Sequence, residues 1–165
     1  GDVYKRQVLR SAYMLGNGEE VMLAATDLLA ETKVAPELSN EAHYYRAKAY
    51  LDAGKVEGAM DDLKILAKDT RNIYGAEAKY KVAQIYFDAG QTGQAEKEVL
   101  DYIEVSTPHT YWLARSFVLL SDVYMKLGRN LDAKQYLLSL KQNYQADDDI
   151  AGMIESRLNK LNAEN

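Results

Sequence analysis

The chain has 165 residues, of which 47% are hydrophobic and 27% charged, an ordinary composition for one globular domain with a sizeable core. Its formal net charge of −5 and pI near 5.1 argue against a surface for nucleic acid or anionic membranes, because phosphate binding relies on clustered lysine and arginine. The chain contains no cysteine, which excludes disulfides, zinc–thiolate sites and cysteine nucleophiles but leaves the compartment open.

The chain opens with GDVYKRQ, which is similar to a stretch that recurs at the ends of sequences translated from metagenomic reads. We therefore expect residues 1–7 to be a non-native leader and the natural protein to continue upstream. No window approaches about eighteen consecutive apolar residues, so the sequence predicts no direct membrane insertion.

Residues 8–38 form a predicted first pair of helices, at 8–15 and 19–31, around the turn GNGEE. Their pattern is a degenerate version of the later helix pairs, with Tyr13, Ala24 and Leu28 as rough counterparts of later positions and two residues too many in the turn.

Three further helix pairs are predicted, at residues 39–74, 75–108 and 109–145. In each pair a glycine ends the first helix, because glycine accepts the left-handed conformation of a helix terminus. The predicted stops are Gly54, Gly90 and Gly128. The second helices are predicted at 56–68, 92–105 and 130–143. The predicted capping residues are Ser39, Thr92, either Thr107 or Thr110, and Asn130.

The pairs repeat a short pattern in which a tyrosine is followed by glycine four residues later and by alanine five residues after that. YLDAGKVEGA starts at Tyr50, YFDAGQTGQA at Tyr86 and YMKLGRNLDA at Tyr124, which gives periods of 36 and 38 residues. A period in the thirties built from two antiparallel helices is typical of helical repeat arrays. The spacing is explained by packing, since small residues allow close helix contact and tyrosine fills the neighbouring gap.

Residues 39–144 resemble the tetratricopeptide repeat (TPR) at its most informative sites. These are the small residues Ala47, Ala83 and Ser121, the three tyrosines, the three glycines, and Ala59, Ala95 and Ala133. The chain departs from the family near the start of the first helices, where the family often carries Trp and Leu. It has His43 and Arg46, then Lys79 and Val82, and only Phe117 and Leu120 are close to type. The resemblance implies an all-α fold of antiparallel helix pairs stacked as a right-handed solenoid.

Residues 147–163 are predicted to form a last helix, which Asp147 could cap. Its apolar stripe consists of Ile150, Ile154, Leu158 and Leu161. A helix with one apolar and one polar face can cover the end of a solenoid, so we expect this helix to be the C-terminal cap.

No cluster for catalysis or metal binding is evident, and we expect neither an enzyme nor a cofactor. The two histidines, His43 and His109, are 66 residues apart and are expected to have packing or surface roles. The acidic run 147–149 lacks the ligand spacing of a calcium loop, and acidic residues favour a helix N-terminus. The GNG at 16–18 indicates a turn, since no P-loop lysine comes after it.

The first helix of each of the three pairs carries a second stripe, distinct from the repeated small residues and tyrosines. It is found by counting back three, six, ten and thirteen residues from the glycine that ends the helix. It consists of Glu41, Tyr44, Lys48 and Leu51, then Glu77, Tyr80, Gln84 and Phe87, then Arg115, Val118, Asp122 and Met125. The stripe combines aromatic and aliphatic side chains with groups that can hydrogen-bond a peptide. The alternative is that these side chains pack against neighbouring repeats, or that another part of the parent protein fills the groove.

The resemblance places this second stripe in the concave groove of the array, where TPR domains bind proteins. Some of them hold the terminal carboxylate of chaperones with Lys, Asn and Arg. Here the corresponding places include Tyr44, Lys48, Lys81, Arg115 and Leu119. Because the asparagines are missing, we do not expect a chaperone clamp.

These patterns favour two functions. The first is a protein-interaction scaffold that binds a peptide or protein segment in the groove. The second is a structural module of a larger, envelope-associated bacterial repeat protein, since the repeats look similar to those of bacterial envelope proteins. That likeness also favours the periplasm or envelope over the cytoplasm.

Overall fold

The computed structural model describes residues 2–163. Within this range the chain forms nine α-helices and no strand, which confirms the predicted all-α class. The helices group into two compact units, the first ending at Asp69 and the second beginning at Thr70. Within residues 2–163, every helix is too short or too polar to span a bilayer.

The first unit contains four helices in two pairs. They are α1 (Asp2–Met14), α2 (Gly18–Leu29), α3 (Pro36–Asp52) and α4 (Val56–Leu66). Its core is built on Leu9, Val21, Leu28 and Leu38, which are at most 2% exposed. Residues 2–7 belong to the segment expected to be a non-native leader, and they form the first turns of α1. Gly1 lies outside the described residues.

The second unit contains two further pairs and a last helix. They are α5 (Ile73–Asp88), α6 (Thr92–Glu104), α7 (Thr110–Lys126), α8 (Asn130–Asn143) and α9 (Ile150–Ala163). Tyr102, Leu120 and Leu137 are fully buried at its centre. The predicted stripe of α9 is buried against α7 and α8, as expected of a capping helix.

All four pairs use the same reversal between their helices. Gly16, Gly54, Gly90 and Gly128 have φ between 71° and 78°, the left-handed region that glycine adopts without strain. In each turn the amide after the glycine donates to a carbonyl five residues earlier, at 2.8–3.0 Å. The acceptors are Ala12, Tyr50, Tyr86 and Tyr124.

This common turn corrects the predicted register of the first pair. The turn at Gly16 has no extra residues, so Ala12 replaces Tyr13 as the counterpart of Tyr50. By the same spacing, the buried Val21 is the counterpart of Ala59. The predicted register was wrong because position 12 is not a tyrosine and position 21 is not an alanine, unlike the corresponding positions of the later pairs.

The predicted side-chain caps are wrong. The N-cap of α7 is His109, so neither Thr107 nor Thr110 caps that helix. α3 begins at Pro36, whose fixed φ suits the first turn, so Ser39 lies inside the helix. The reversals are so short that the residue after each glycine is the N-cap, which makes Thr92 and Asn130 the first helical residues. Before α9, Asp148 and not Asp147 accepts from the amide of Ile150.

The packing role of the repeated small residues is confirmed. Ala59, Ala95 and Ala133 are fully buried, and Ala47, Ala83 and Ser121 are at most 1% exposed. A Cβ added at Gly58 would lie 3.0 Å from the Tyr50 ring, so α4 is shaped to receive that ring. The repeated residues therefore set how closely the helices of a pair approach.

Candidate functional site

In the first unit, the second stripe is held by partners within the unit. The buried Glu41 accepts two hydrogen bonds from Arg10 of α1, at 2.7 and 2.9 Å. The ammonium of Lys48 lies 5.0 Å from the ring centre of Tyr44. Leu51 is half-buried. The hydrogen bonds between Arg10 and Glu41 connect α1 to α3, so Glu41 has a structural role on this part of the stripe.

The stripe residues of α5 and α7 are linked by a chain of hydrogen bonds. The Tyr80 hydroxyl donates to Gln84 at 2.8 Å, and the Gln84 amide donates to Asp88 at 2.8 Å. Arg115 donates to the hydroxyls of Tyr80 and Tyr111, at 3.0 and 2.9 Å. The Arg115 side chain therefore fastens α7 to α5.

Aromatic rings surround the Arg115 guanidinium. Its central carbon lies 4.8 Å from the ring centre of Tyr80, and 5.9 and 5.8 Å from those of Tyr111 and Trp112. Burial raises the pKa of the Tyr80 hydroxyl, against the opposing effect of the nearby guanidinium. The Tyr80 hydroxyl therefore keeps its proton and donates a hydrogen bond to Gln84.

Tyr80 is more deeply buried than a residue on an open groove surface. A stripe residue that contacts a partner should be partly exposed, but Tyr80 is 6% exposed, whereas Tyr50 and Tyr86, which do not belong to the stripe, are half-buried. Trp112 and Arg115 cover its ring. Glu77 and Val118 are buried as well, so these three stripe residues cannot form an open groove surface.

Three stripe residues do surround open space. Phe87, Asp122 and Met125 line a cavity of about 350 Å³ in the second unit, together with Lys126, Asn130 and Lys160. Phe87 and Met125 provide apolar walls, and both are half-buried. Arg157 of α9 donates to both carboxylate oxygens of Asp122, at 2.7 and 2.9 Å, which fixes that wall. The sequence did not single out Arg157 or Lys160.

A buried carboxylate was also missed. Asp62 of α4 is 1% exposed, and it accepts two hydrogen bonds from Arg46, at 2.8 and 2.7 Å. His43 Nδ1 lies 2.7 Å from the same carboxylate. Burial alone would raise the pKa of Asp62, but the hydrogen bonds from Arg46 and His43 outweigh it and hold the pKa below its usual value.

This carboxylate belongs to a position pair that recurs in every later helix pair. His43 and Asp62 correspond to Lys79 and Glu98, which form a salt bridge of 2.7 Å, and then to Phe117 and Tyr136, whose ring centres are 6.0 Å apart. The signal was present in the sequence, since residues nineteen apart carry complementary chemistry in each repeat. His43 and Arg46, which depart from the family type, are thereby accounted for.

The remaining polar candidates serve the structure. His109 Nε2 lies 3.0 Å from the carbonyl oxygen of Arg71. Asp148 accepts from the Tyr144 hydroxyl at 2.6 Å, and Asp149 accepts from Tyr111 at 2.8 Å. Within residues 2–163, no group of three or more His, Asp or Glu side chains could hold a metal ion.

Comparison with solved structures shows which known fold the chain resembles. Two crystal structures of nearly identical TPR-like repeats, from a kinesin-light-chain candidate of Podosopora anserina, match 97% of this chain and 92% of theirs. One, of a protein with a single substitution, has a TM-score of 0.61 at 13% identity, and the other has 0.60 at 14%. The chain therefore has an all-α helical repeat fold of the TPR-like kind.

Neither the family models nor the curated proteins contain a match to the sequence. The likeness to bacterial envelope repeats and the repeat boundaries stay predictions.

Proposed function

We propose that this chain is a protein-interaction module, and that its second unit binds a peptide or protein segment at the cavity between Phe87 and Met125. The TPR-like fold supports the general class, because such arrays present side chains on a rigid framework of stacked helices. We assign the binding to this cavity because it is lined by stripe residues that remain partly exposed.

The observation that carries the proposal is the division of the stripe into filled and open parts. Tyr80, Gln84 and Arg115 are linked by hydrogen bonds, so their polar groups already have partners within the unit. Phe87 and Met125 instead present half-buried apolar surface to a cavity of about 350 Å³. Apolar anchors in a preformed pocket contribute most of the free energy in many interfaces.

The cavity has the mixed character of a recognition site. Its apolar walls can take a side chain of a bound segment, and Lys126, Asn130 and Lys160 can hydrogen-bond polar groups around it. Asp122 is already paired with Arg157, so its charge is compensated within the unit. The rigid contacts behind the cavity favour a preformed site.

A double substitution tests the proposal. The Phe87→Ala and Met125→Ala variant should lose at least about tenfold in affinity for a captured partner, since each anchor contributes about 1–2 kcal/mol. The matched control replaces two exposed leucines of α8, Leu131 and Leu138, with alanine. It should bind within about twofold of the parent.

The partner is first captured from extract with the parent protein, and its affinity for the three proteins is then measured by calorimetry. Thermal melts show whether each variant remains folded. If the double variant melts normally and binds as well as the parent, the cavity is not the working surface.

A further inference from the structure

A second cavity lies on a different side of the second unit, between α7 and α8. Its walls include the rings of Phe117, Tyr124 and Tyr136, and its volume is about 350 Å³. We call this cavity and its three rings the aromatic trough. Tyr136 is the central ring, with ring centres 6.0 Å from Phe117 and 5.6 Å from Tyr124. None of these residues belongs to the stripe on which the proposed function rests.

In the other two repeats, the position that corresponds to Phe117 and Tyr136 is occupied by an ion pair or a charged hydrogen bond. In α5–α6 it holds the Lys79 ammonium, 2.7 Å from the Glu98 carboxylate, with both side chains less than a quarter exposed. In α3–α4 it holds His43 beside the buried Asp62. Each of these pairs supplies a basic side chain from the first helix. Phe117 and Tyr136 supply none, and the cation that lines the trough is Arg129, from the turn before α8.

The trough is also electrostatically suited to a cation. The faces of its rings carry the negative end of the aromatic quadrupole. Asp132 lines the trough and lies 2.8 Å from the Arg129 guanidinium. Glu96 is not part of the lining, but its carboxylate lies 3.6 Å from the same guanidinium. The carboxylates therefore outnumber the internal cation, and the net charge of −5 acts in the same direction at longer range.

The second unit already uses its aromatic rings to bind cationic side chains. The guanidinium carbon of Arg129 lies 4.3 Å from the ring centre of Tyr124, and that of Arg115 lies 4.8 Å from the centre of Tyr80. Arg129 covers Tyr124, while Phe117 and Tyr136 still line the cavity. Flat rings of this kind attract guanidinium and ammonium groups, especially where water is partly excluded.

We propose that the aromatic trough binds an arginine or lysine side chain from a basic segment of a partner protein. The incoming cation would lie over Phe117 and Tyr136 and would be balanced by Asp132 and Glu96. The bound side chain would then occupy the position that Lys79 occupies in the preceding repeat.

A defined peptide tests this site. The probe is a fluorescein-labelled pentapeptide of alternating glycine and arginine, and its binding is followed by anisotropy. A matched peptide carries citrulline, which keeps the shape of arginine without its charge. We expect the arginine peptide to bind at least about fivefold more tightly than the citrulline peptide, the factor that corresponds to one cation–π contact.

Two pairs of variants locate the binding. Tyr136→Leu should weaken binding about fivefold, whereas Tyr111→Leu, elsewhere on α7, should not change it. Asp132→Asn should weaken binding about threefold, whereas the same substitution at the exposed Asp101 of α6 should have little effect. The aspartate pair has equal net charge, so it decides the question even if Tyr136→Leu unfolds.

Three results would overturn the proposal. They are no binding of the arginine peptide at millimolar concentration, equal binding of the citrulline peptide, and equal loss in Asp132→Asn and Asp101→Asn. Tetramethylammonium is added as a competitor. Displacement of the peptide at equimolar tetramethylammonium would assign the trough to a small quaternary ammonium ion and not to a partner protein.

Discussion

The helix pairs α3–α4 and α7–α8 share one backbone design but use different chemistry at the same position. Both reverse through a glycine with φ near 75°, and both bury an alanine at the start of the second helix. Between the helices, α3–α4 places His43 against the buried Asp62, and α7–α8 places Phe117 against Tyr136. Glycine and small residues therefore fix the spacing of the helices. The two residues that face each other between the helices, here called the facing pair, can vary as long as they remain complementary.

The largest expected effect comes from breaking the ionic version of the pair. Asp62→Ala should lower the free energy of unfolding by about 3–5 kcal/mol, because it leaves the largely buried Arg46 and His43 without their carboxylate. Glu98→Ala should cost less, about 1–2 kcal/mol, because the Glu98 side chain is 24% exposed and the Asp62 side chain is 1% exposed. Urea unfolding of both variants measures the difference. Equal costs would mean that burial does not distinguish the two ion pairs.

A smaller effect tests the shared backbone design. Replacing Gly16, Gly54, Gly90 or Gly128 with alanine should cost about 1–2 kcal/mol each, because alanine is strained in the left-handed region. A Cβ at any of these positions would meet nothing within 4 Å, so the cost should be purely conformational and similar at all four. Thermal melts of the four variants check this. A Gly16→Ala variant as stable as the parent would contradict the corrected register of α1 and α2.

The sequence predicted the fold because its strongest signals come from local geometry. Gly54, Gly90 and Gly128 mark the reversals, and the alternation of small and large residues reports close helix contact. The caps at Thr92 and Asn130 were wrong because a preferred residue type alone does not show where so short a reversal ends.

The candidate site was only partly predictable. Counting from the glycines predicts which residues share one face of a helix, but periodicity does not show which of them a neighbouring helix covers. Tyr80 is buried because Arg115 and Trp112 of α7 lie over it, and Phe87 remains beside a cavity. Those differences depend on contacts between repeats. Asp62 was not predicted as a buried carboxylate because its partners His43 and Arg46 are nineteen and sixteen residues away in the sequence. Its burial is explained only when both contacts are known.

The backbone design should accept either form of the facing pair. The most direct measurement transplants the residues of α7–α8 into α3–α4, as the triple variant His43→Phe, Arg46→Leu and Asp62→Tyr, and compares its urea unfolding with that of Asp62→Tyr alone. We expect the triple variant to lie within about 1 kcal/mol of the parent, because replacing a whole buried ionic cluster with well-packed apolar groups is often neutral, whereas the single variant should lose about 3 kcal/mol or more. A triple variant as unstable as the single one, or less stable, would contradict the interchange of the two forms.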